Sequence, residues 1–381
     1  MPQAAAVVNA RVRHPLFTFR PPCDSGTWHA GVMGQSDTGT IPHPVTEELR
    51  ATMATAGITH DADLVARILA TGIGLGLDDT DRLDLKITSS ALSEMRQAFR
   101  LFAPYRGIPK VTIFGSARTR SEDQLYRQAS ETAAALAERG WMVVTGAGPG
   151  IMEAAAAGAG PLQSLGVSIR LPFEEKPNAI VGGNARNVAM KYFFTRKLML
   201  VKESRGFVCV PGGFGTLDEM FELLTLQQTG KADPTPIVLL DAPGAGFWAG
   251  LRRFVDDHLL PSGVISPGDF DRVLVTDSVQ AAVDELTGFY RNYDSLRWVG
   301  KRLVLRLKAE PTDAEVETLN EQFADLVAEG RIERRGALTV EREDDDVVDL
   351  PRLVLRLDQF RVGELHRLIR AVNALESAPR E

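Results

Sequence analysis

The chain has 381 residues, 44% hydrophobic and 24% charged, which is enough for one full α/β core with one or two smaller units. Its formal charge of -7 argues against a general nucleic-acid or anionic-membrane binder and confines any anion site to a local pocket. Its two cysteines exclude a disulfide framework, and Cys209 sits in an apolar strand pattern where a buried, unreactive thiol is expected. That usage fits a reducing cytoplasm. No apolar run approaches the roughly 18 residues of a membrane span, so with that charge neither a membrane nor a nucleic-acid partner is expected.

Residues 1–44 read as a flexible tail. Arg11, Arg13 and Arg20 stand without acidic neighbours, as in a transit peptide, but Pro15, Pro21 and Pro22 spoil an amphipathic helix. Residues 45–106 read as an N-terminal helical extension, with acidic first turns at Glu47 and Glu48 and at Asp61, and a further helix over 90–102 ended by Pro104.

Residues 107–293 alternate short β-rich runs with helical patterns. Strands are predicted over 111–114, 141–145, 167–171, 207–210, 236–240 and 273–276. Helices are predicted over 122–139, 150–159, 188–203, 217–229, 247–260 and 279–290. This pattern predicts an α/β fold, a Rossmann-like doubly wound parallel sheet with right-handed crossovers. Ligands on such sheets bind beyond the carboxyl ends of the strands, where the glycine clusters fall: Gly115-Ser116, Gly146 to Gly150, and Gly212 to Thr216.

Residues 294–381 read as a small C-terminal βα-repeat domain, because Arg302-Leu303-Val304-Leu305-Arg306-Leu307 recurs as Arg352-Leu353-Val354-Leu355-Arg356-Leu357. Strict alternation places leucines on one face and arginines on the other. The acidic run from Glu341 to Asp346 between the copies is expected to be a solvated loop attracted to exposed arginines rather than a metal site.

The densest signal is Pro211-Gly212-Gly213-Phe214-Gly215-Thr216-Leu217-Asp218-Glu219, which follows a strand pattern and opens a helix. Backbone without Cβ atoms approaches a phosphate closely, and the free N–H groups at a helix start favour an anion. Gly146-Ala147-Gly148-Pro149-Gly150-Ile151 fails the dinucleotide spacing, since the third glycine of that motif would fall on Ile151. Neither glycine loop ends in the Lys-Ser/Thr of a triphosphate loop. A monophosphate suits them better, and no cofactor or metal is expected.

Glu219 carries two readings on the motif alone. It stands three residues after Thr216, the spacing of a capping box, and it also lies one turn from the cradle, where a carboxylate can act on a bound ligand. Upstream, Phe193, Phe194, Leu198 and Leu200 point to a buried helix in which Arg196 and Lys197 either snorkel to solvent or reach the phosphate pocket.

Taken together, four ordered motifs make residues 108 to 290 resemble the LOG (LONELY GUY) family of phosphoribohydrolases, often mislabelled lysine decarboxylases. They are Phe114-Gly115-Ser116-Ala117-Arg118, Gly146 to Ala154, Phe194-Thr195-Arg196-Lys197 and Pro211 to Glu219. The resemblance implies a Rossmann-like fold, a homodimer or higher oligomer, and cleavage of a nucleoside 5'-monophosphate to free base and ribose 5-phosphate. It assigns Arg196 and Glu219 as catalytic, and Lys197, Gly212, Gly213, Gly215 and Thr216 as substrate- and phosphate-binding. Gly115, Ser116, Arg118, Gly148, Gly150, Met152 and Glu153 complete the expected nucleotide contacts. A decarboxylase would need pyridoxal phosphate, and neither Lys191 nor Lys197 has a cofactor-lysine context. The competing reading is a non-catalytic carrier or sensor of a nucleotide or of molybdenum cofactor in the same cradle. The pairing of Arg196 with Glu219 argues against it.

Overall fold

The computed structural model describes residues 43–171, 177–182, 185–266 and 268–380; the tail expected over 1–44 lies almost entirely outside them. The described residues fall into two compact units, one ending at Ser93 and one running from Glu94 onward. Helices α1 (His43–Thr55), α2 (Ala62–Leu77) and most of α3 (Arg82–Phe102) make the first. α2 is apolar along most of its length, yet no residue of it is buried.

The second unit is built on β1 (Lys110–Phe114), α4 (Gln124–Glu138), β2 (Met142–Thr145), α5 (Ile151–Ala159), β3 (Ser164–Ile169), β4 (Asn187–Met190) and α6 (Phe193–Lys202). It continues through β5 (Gly206–Cys209), α7 (Phe214–Gln228), β6 (Ile237–Leu240), α8 (Phe247–Phe254), β7 (Val273–Thr276) and α9 (Val279–Gly288). Seven parallel strands lie in the order β4-β3-β2-β1-β5-β6-β7. The order reverses direction between β1 and β5, which opens a crevice above their carboxyl ends.

Central strands buried on both faces read as continuous apolar runs, and their side chains divide between two layers. Ile113, Val143, Val208 and Val238 pack under α4, α5 and α9, while Phe114, Val144, Phe207, Cys209 and Leu239 pack against α6, α7 and α8. α4 forms because Gln128, Ala129, Thr132, Ala133, Leu136 and Ala137 make a buried stripe at helical spacing. α9 starts at Ser278, whose side chain accepts from the Ala281 N–H at 3.2 Å.

One helix differs from the expectation of 188–203. Residues Asn187–Met190 form a strand in parallel register with β3, from Gly166 opposite Asn187 to Ile169 opposite Met190, and the helix begins only at Phe193. Pairing to a sheet edge overrode an ambiguous four-residue pattern. The apolar face also differs: Phe193 and Phe194 are exposed, whereas Thr195, Met199, Leu200 and Val201 are buried.

Beyond it stand β8 (Tyr293–Val299), β9 (Arg302–Leu307), α10 (Asp313–Gln322), β10 (Val327–Arg335), α11 (Thr339–Glu343), β11 (Arg352–Leu357) and α12 (Leu365–Asn373). Their antiparallel sheet has the order β10-β11-β9-β8. The two repeat copies are neighbours, with Leu305 opposite Leu353 and Leu303 opposite Leu355. Their leucines enter the same buried cluster as α4 and α9. The arginine face is solvated only in part, at Arg302 and Arg356. Arg306 and Arg352 are buried against Glu341, because the segment after β10 folds back over them. The acidic run is therefore half interior, with Glu341 and Asp346 buried and Glu343 and Asp345 exposed.

Candidate active site

The crevice between β1 and β5 gathers three of the glycine segments. β1 delivers Gly115 and Ser116, β2 delivers Gly146 to Gly150, and β5 delivers Gly212 to Thr216. The turns are tied together through backbone: Val210 N–H donates to Phe114 O at 2.9 Å, and Ile151 N–H to Ser116 O at 3.1 Å. Close approach explains the glycines at two positions. Gly150 has φ +66, and a Cβ there would meet the Ser116 carbonyl; at Gly212 a Cβ would lie 3.0 Å from Ser116 N and 2.8 Å from Thr216 Cβ. Gly213 and Gly215, by contrast, face open space. That space adjoins the free N–H groups at the start of α7, a position that favours an anion.

α7 begins at Phe214 with Gly213 as its N-cap and no side-chain cap. Thr216 is thus already inside the first turn and its hydroxyl lies against Gly212, so the capping-box reading of Thr216 and Glu219 does not hold. Glu219 instead stands a turn further on and faces Arg196, with Nη1 to Oε1 at 3.7 Å. That is a charge contact too long for a hydrogen bond. The two side chains are only 12% and 14% exposed.

Arg196 is oriented by carbonyls. Its Nε donates to Val167 O at 2.9 Å and its Nη2 to Gly146 O at 3.4 Å, which links α6 to β3 and to the residue after β2. Gly146 has no room for a Cβ because the Arg196 guanidinium occupies that place, with Met152 Sδ 2.8 Å away. Burial raises the Glu219 carboxyl to about 7, against the opposing pull of Arg196 and Lys197. Burial likewise lowers the pKa of Arg196, and Glu219 opposes it. Desolvation outweighs attraction on both partners, and Glu219 is the member brought near neutrality, since a guanidinium keeps its charge. Cys209 beneath it is fully buried, and burial, reinforced by the Glu219 charge, pushes its thiol far up, which removes it as a nucleophile.

The remaining expected residues sit at differing depths. Met152 lines the crevice beside Gly148, a Cβ on which would lie 2.6 Å from Met152 Cε. Arg118 is exposed on the first turn, where its N–H donates to Ser116 Oγ at 3.1 Å. Glu153 is half-buried in the first turn of α5. Lys197 turns to α7 and bridges Asp218 at 2.6 Å and Glu222 at 2.7 Å. Burial works against its ammonium, but the hydrogen bonds to Asp218 and Glu222 outweigh it and raise its pKa. It clamps the two helices that carry Arg196 and Glu219. Asn178 was not legible in the sequence: its Nδ2 donates to Gly148 O at 3.0 Å and its N–H to Ala147 O at 2.8 Å, bracing the second glycine loop from 30 residues away. No local pattern announces such a brace. Among the described residues no group of three or more His, Cys, Asp or Glu is arranged to hold a metal ion, and no helix is long and apolar enough to cross a membrane.

The chain is similar to known proteins over part of its length. A family model described as "Possible lysine decarboxylase" matches residues 150–286. A cytokinin riboside 5'-monophosphate phosphoribohydrolase from Mycobacterium tuberculosis is 32% identical over 165 residues, 42% of this chain and 84% of the relative. The chain belongs to the LOG family. An Arabidopsis thaliana enzyme of the same name is 29% identical over 127 residues, 33% of this LOG-family chain and 58% of the relative. A solved structure of a molybdenum cofactor binding protein from Rippkaea orientalis is 20% identical with a TM-score of 0.33, covering 46% of this chain and 94% of that one. More than half of the present LOG-family chain therefore lies outside each of these alignments.

Proposed function

We propose that the protein hydrolyses the N-glycosidic bond of nucleoside 5'-monophosphates, AMP-like nucleotides or cytokinin ribotides, to free base and ribose 5-phosphate. The observation that carries this reading is the buried, unsaturated Arg196–Glu219 pair at 3.7 Å beside an open glycine cradle. In this reading the domain over 107–293 is the catalytic unit, and the 5'-phosphate sits on the N–H groups where Gly213 and Gly215 leave space. As the bond from C1' to the base breaks, positive charge builds on C1' and the ring oxygen, and the Glu219 carboxylate stabilises it. The C1'–base bonding pair leaves with the base as a water oxygen bonds to C1', Glu219 takes the water proton, and the base takes up a proton from solvent, to which Glu219 returns its own. A carboxyl with a pKa near 7 is matched to such a step at neutral pH, and general-base help of this kind is worth about 10²- to 10⁴-fold. Arg196, with Nε and Nη2 bound to Val167 O and Gly146 O, turns its remaining Nη1 to the carboxylate and the substrate oxygens, and Lys197 keeps α6 and α7 in place.

Copies of the chain associate in this reading. Phe214 is 93% exposed, and Phe193, Phe194 and Phe221 are exposed on the same two helices, a concentration of apolar surface that favours a homo-oligomer. The test is incubation of the purified chain with AMP, GMP, CMP and a cytokinin ribotide, with ribose 5-phosphate as readout. Release from at least one is expected. Tight binding without release from any of them would leave a carrier and overturn the hydrolase reading.

A further inference from the structure

We infer that Glu94, which belongs to none of the glycine or Arg-Lys motifs, is a positioning residue for the Arg196–Glu219 pair; this rests on the hydrolase reading above. Glu94 lies on α3 and is 5% exposed. An interior carboxylate is tolerated only where hydrogen bonds replace its water. Its Oε1 accepts the Lys191 N–H at 2.7 Å and its Oε2 accepts the Thr195 hydroxyl at 2.7 Å.

Both donors stand at the start of α6, whose own N-cap, Tyr192, provides no side-chain cap. The first N–H groups of a helix need partners, and the positive end of its dipole favours an anion. Glu94 therefore fixes the chain on both sides of the Tyr192 N-cap, at Lys191 N–H and the Thr195 hydroxyl, and sets its carboxylate at the positive end of α6. It is itself fixed, because Ala98 and Phe102 follow at i+4 and i+8 on the same stripe and are buried in the layer that holds Met199 and Leu200.

The consequence concerns the next residue. Thr195 is fully buried and directly precedes Arg196, so the bond to Glu94 sets how far α6 is rotated and how deep it sits. Arg196 reaches Val167 O, Gly146 O and Glu219 only from that setting. The last two turns of α3 thus act as a rear support for the catalytic helix. Catalysis is sensitive to such supports, since a misplacement of about 1 Å costs about 10²-fold.

The experiment uses the full chain and the variants E94A and E94Q, with AMP, or whichever monophosphate is turned over, as substrate. Glutamine can still accept from the Lys191 N–H, while Thr195 turns its proton to Tyr192 O, 2.9 Å away, and accepts from the new amide. E94A is expected to lower kcat by about 10²-fold with KM unchanged, because the phosphate seat is untouched. It should also speed hydrogen exchange of the amides at 193–197. E94Q should recover most of the lost kcat. Should E94A prevent folding, Thr195→Val removes only the hydroxyl side of the contact and is expected to shift kcat and exchange in the same direction, by less. Wild-type kcat or wild-type exchange in the folded alanine or valine variant overturns the inference, as does an E94Q enzyme as slow as E94A. If the wild type releases no ribose 5-phosphate, the hydrolase reading fails while the exchange measurement still decides whether Glu94 positions α6.

Discussion

Two buried arginine–carboxylate clusters in this molecule use the same groups to opposite ends. In the antiparallel sheet, Arg306 Nη2 lies 2.7 Å from Glu341 Oε1 and 2.8 Å from Asp346 Oδ2, Arg352 Nε lies 3.0 Å from Glu341 Oε2, and Arg297 Nη1 lies 2.7 Å from Asp346. Every contact is at hydrogen-bond length. At the ends of the parallel sheet, Arg196 and Glu219 face each other at 3.7 Å, with the guanidinium hydrogen-bonded to carbonyls instead. The first cluster has spent its bonding capacity within the fold. The second keeps a carboxylate that is buried, raised to about 7 and short of donors, which is the condition of a group waiting for a ligand.

Removing the waiting carboxylate is the largest way to break this contrast. Glu219→Gln keeps the shape and is expected to lower kcat by about 10²- to 10⁴-fold. The wild type should lose kcat/KM as pH falls through about 7, since the carboxylate is the active form, and the residual activity of the variant should lack that limb. Stability moves the other way. The folded pKa of about 7 lies above the ordinary 4.5, so the contribution of Glu219 is fully present below about 4.5 and is lost as pH rises through about 7. Above pH 7 the wild type therefore carries a penalty of about 3 kcal/mol at most, which glutamine does not carry. Urea unfolding at pH 5 and pH 8 measures it: the advantage of the variant over the wild type should be larger at pH 8 than at pH 5 by about 2 kcal/mol. Equal midpoints at pH 8 would show that Glu219 is not desolvated in the folded chain.

The saturated cluster should respond in stability rather than in rate. Glu341→Ala leaves Arg306 and Arg352 buried without their shared acceptor, which is expected to cost about 3–5 kcal/mol. Urea unfolding gives the loss, and kcat of the folded fraction is expected to stay at the wild-type value. A fall in kcat without loss of stability would reverse the roles assigned to the two clusters.

The contrast also explains what the sequence could disclose. The parallel sheet and its glycine-bearing strand ends were legible, because buried strands and tight turns leave local patterns at Val111, Val143, Phe207 and Ile237. β4 was not, since Asn187-Val188-Ala189-Met190 has no period of its own and becomes a strand only by pairing with β3. Thr216 and Glu219 fit a capping box in spacing, yet the helix starts three residues earlier than that box requires, at Phe214, once Gly213 supplies an extended N-cap. Arg306 and Arg352 looked exposed by alternation, which fixes the face of a sheet but not what covers it. Glu94 and Asn178 left no signal at all. Their partners lie 97 and 101 residues away for Glu94 and 30 for Asn178, and only the fold brings them together.

The smallest expected effects sharpen the contrast within the phosphate turn itself. Gly212 and Gly215 are three residues apart, but a Cβ at Gly212 would lie 2.8 Å from Thr216 Cβ and 3.0 Å from Ser116 N, and one at Gly215 would meet nothing within 4 Å. Gly212→Ala must therefore push against a buried side chain and a neighbouring turn, which is expected to cost about 1–3 kcal/mol. Gly215 lies in the first turn of α7, where alanine removes the backbone entropy penalty of glycine and should stabilise the fold by up to about 1 kcal/mol. If the open space is the seat of the substrate phosphate, the same methyl group must intrude on it. Gly215→Ala is thus expected to unfold at higher urea while its KM for the monophosphate rises, a combination that a purely structural glycine does not produce. A raised midpoint with an unchanged KM would move the phosphate away from the start of α7, and with it the reason for placing the sugar beside Glu219.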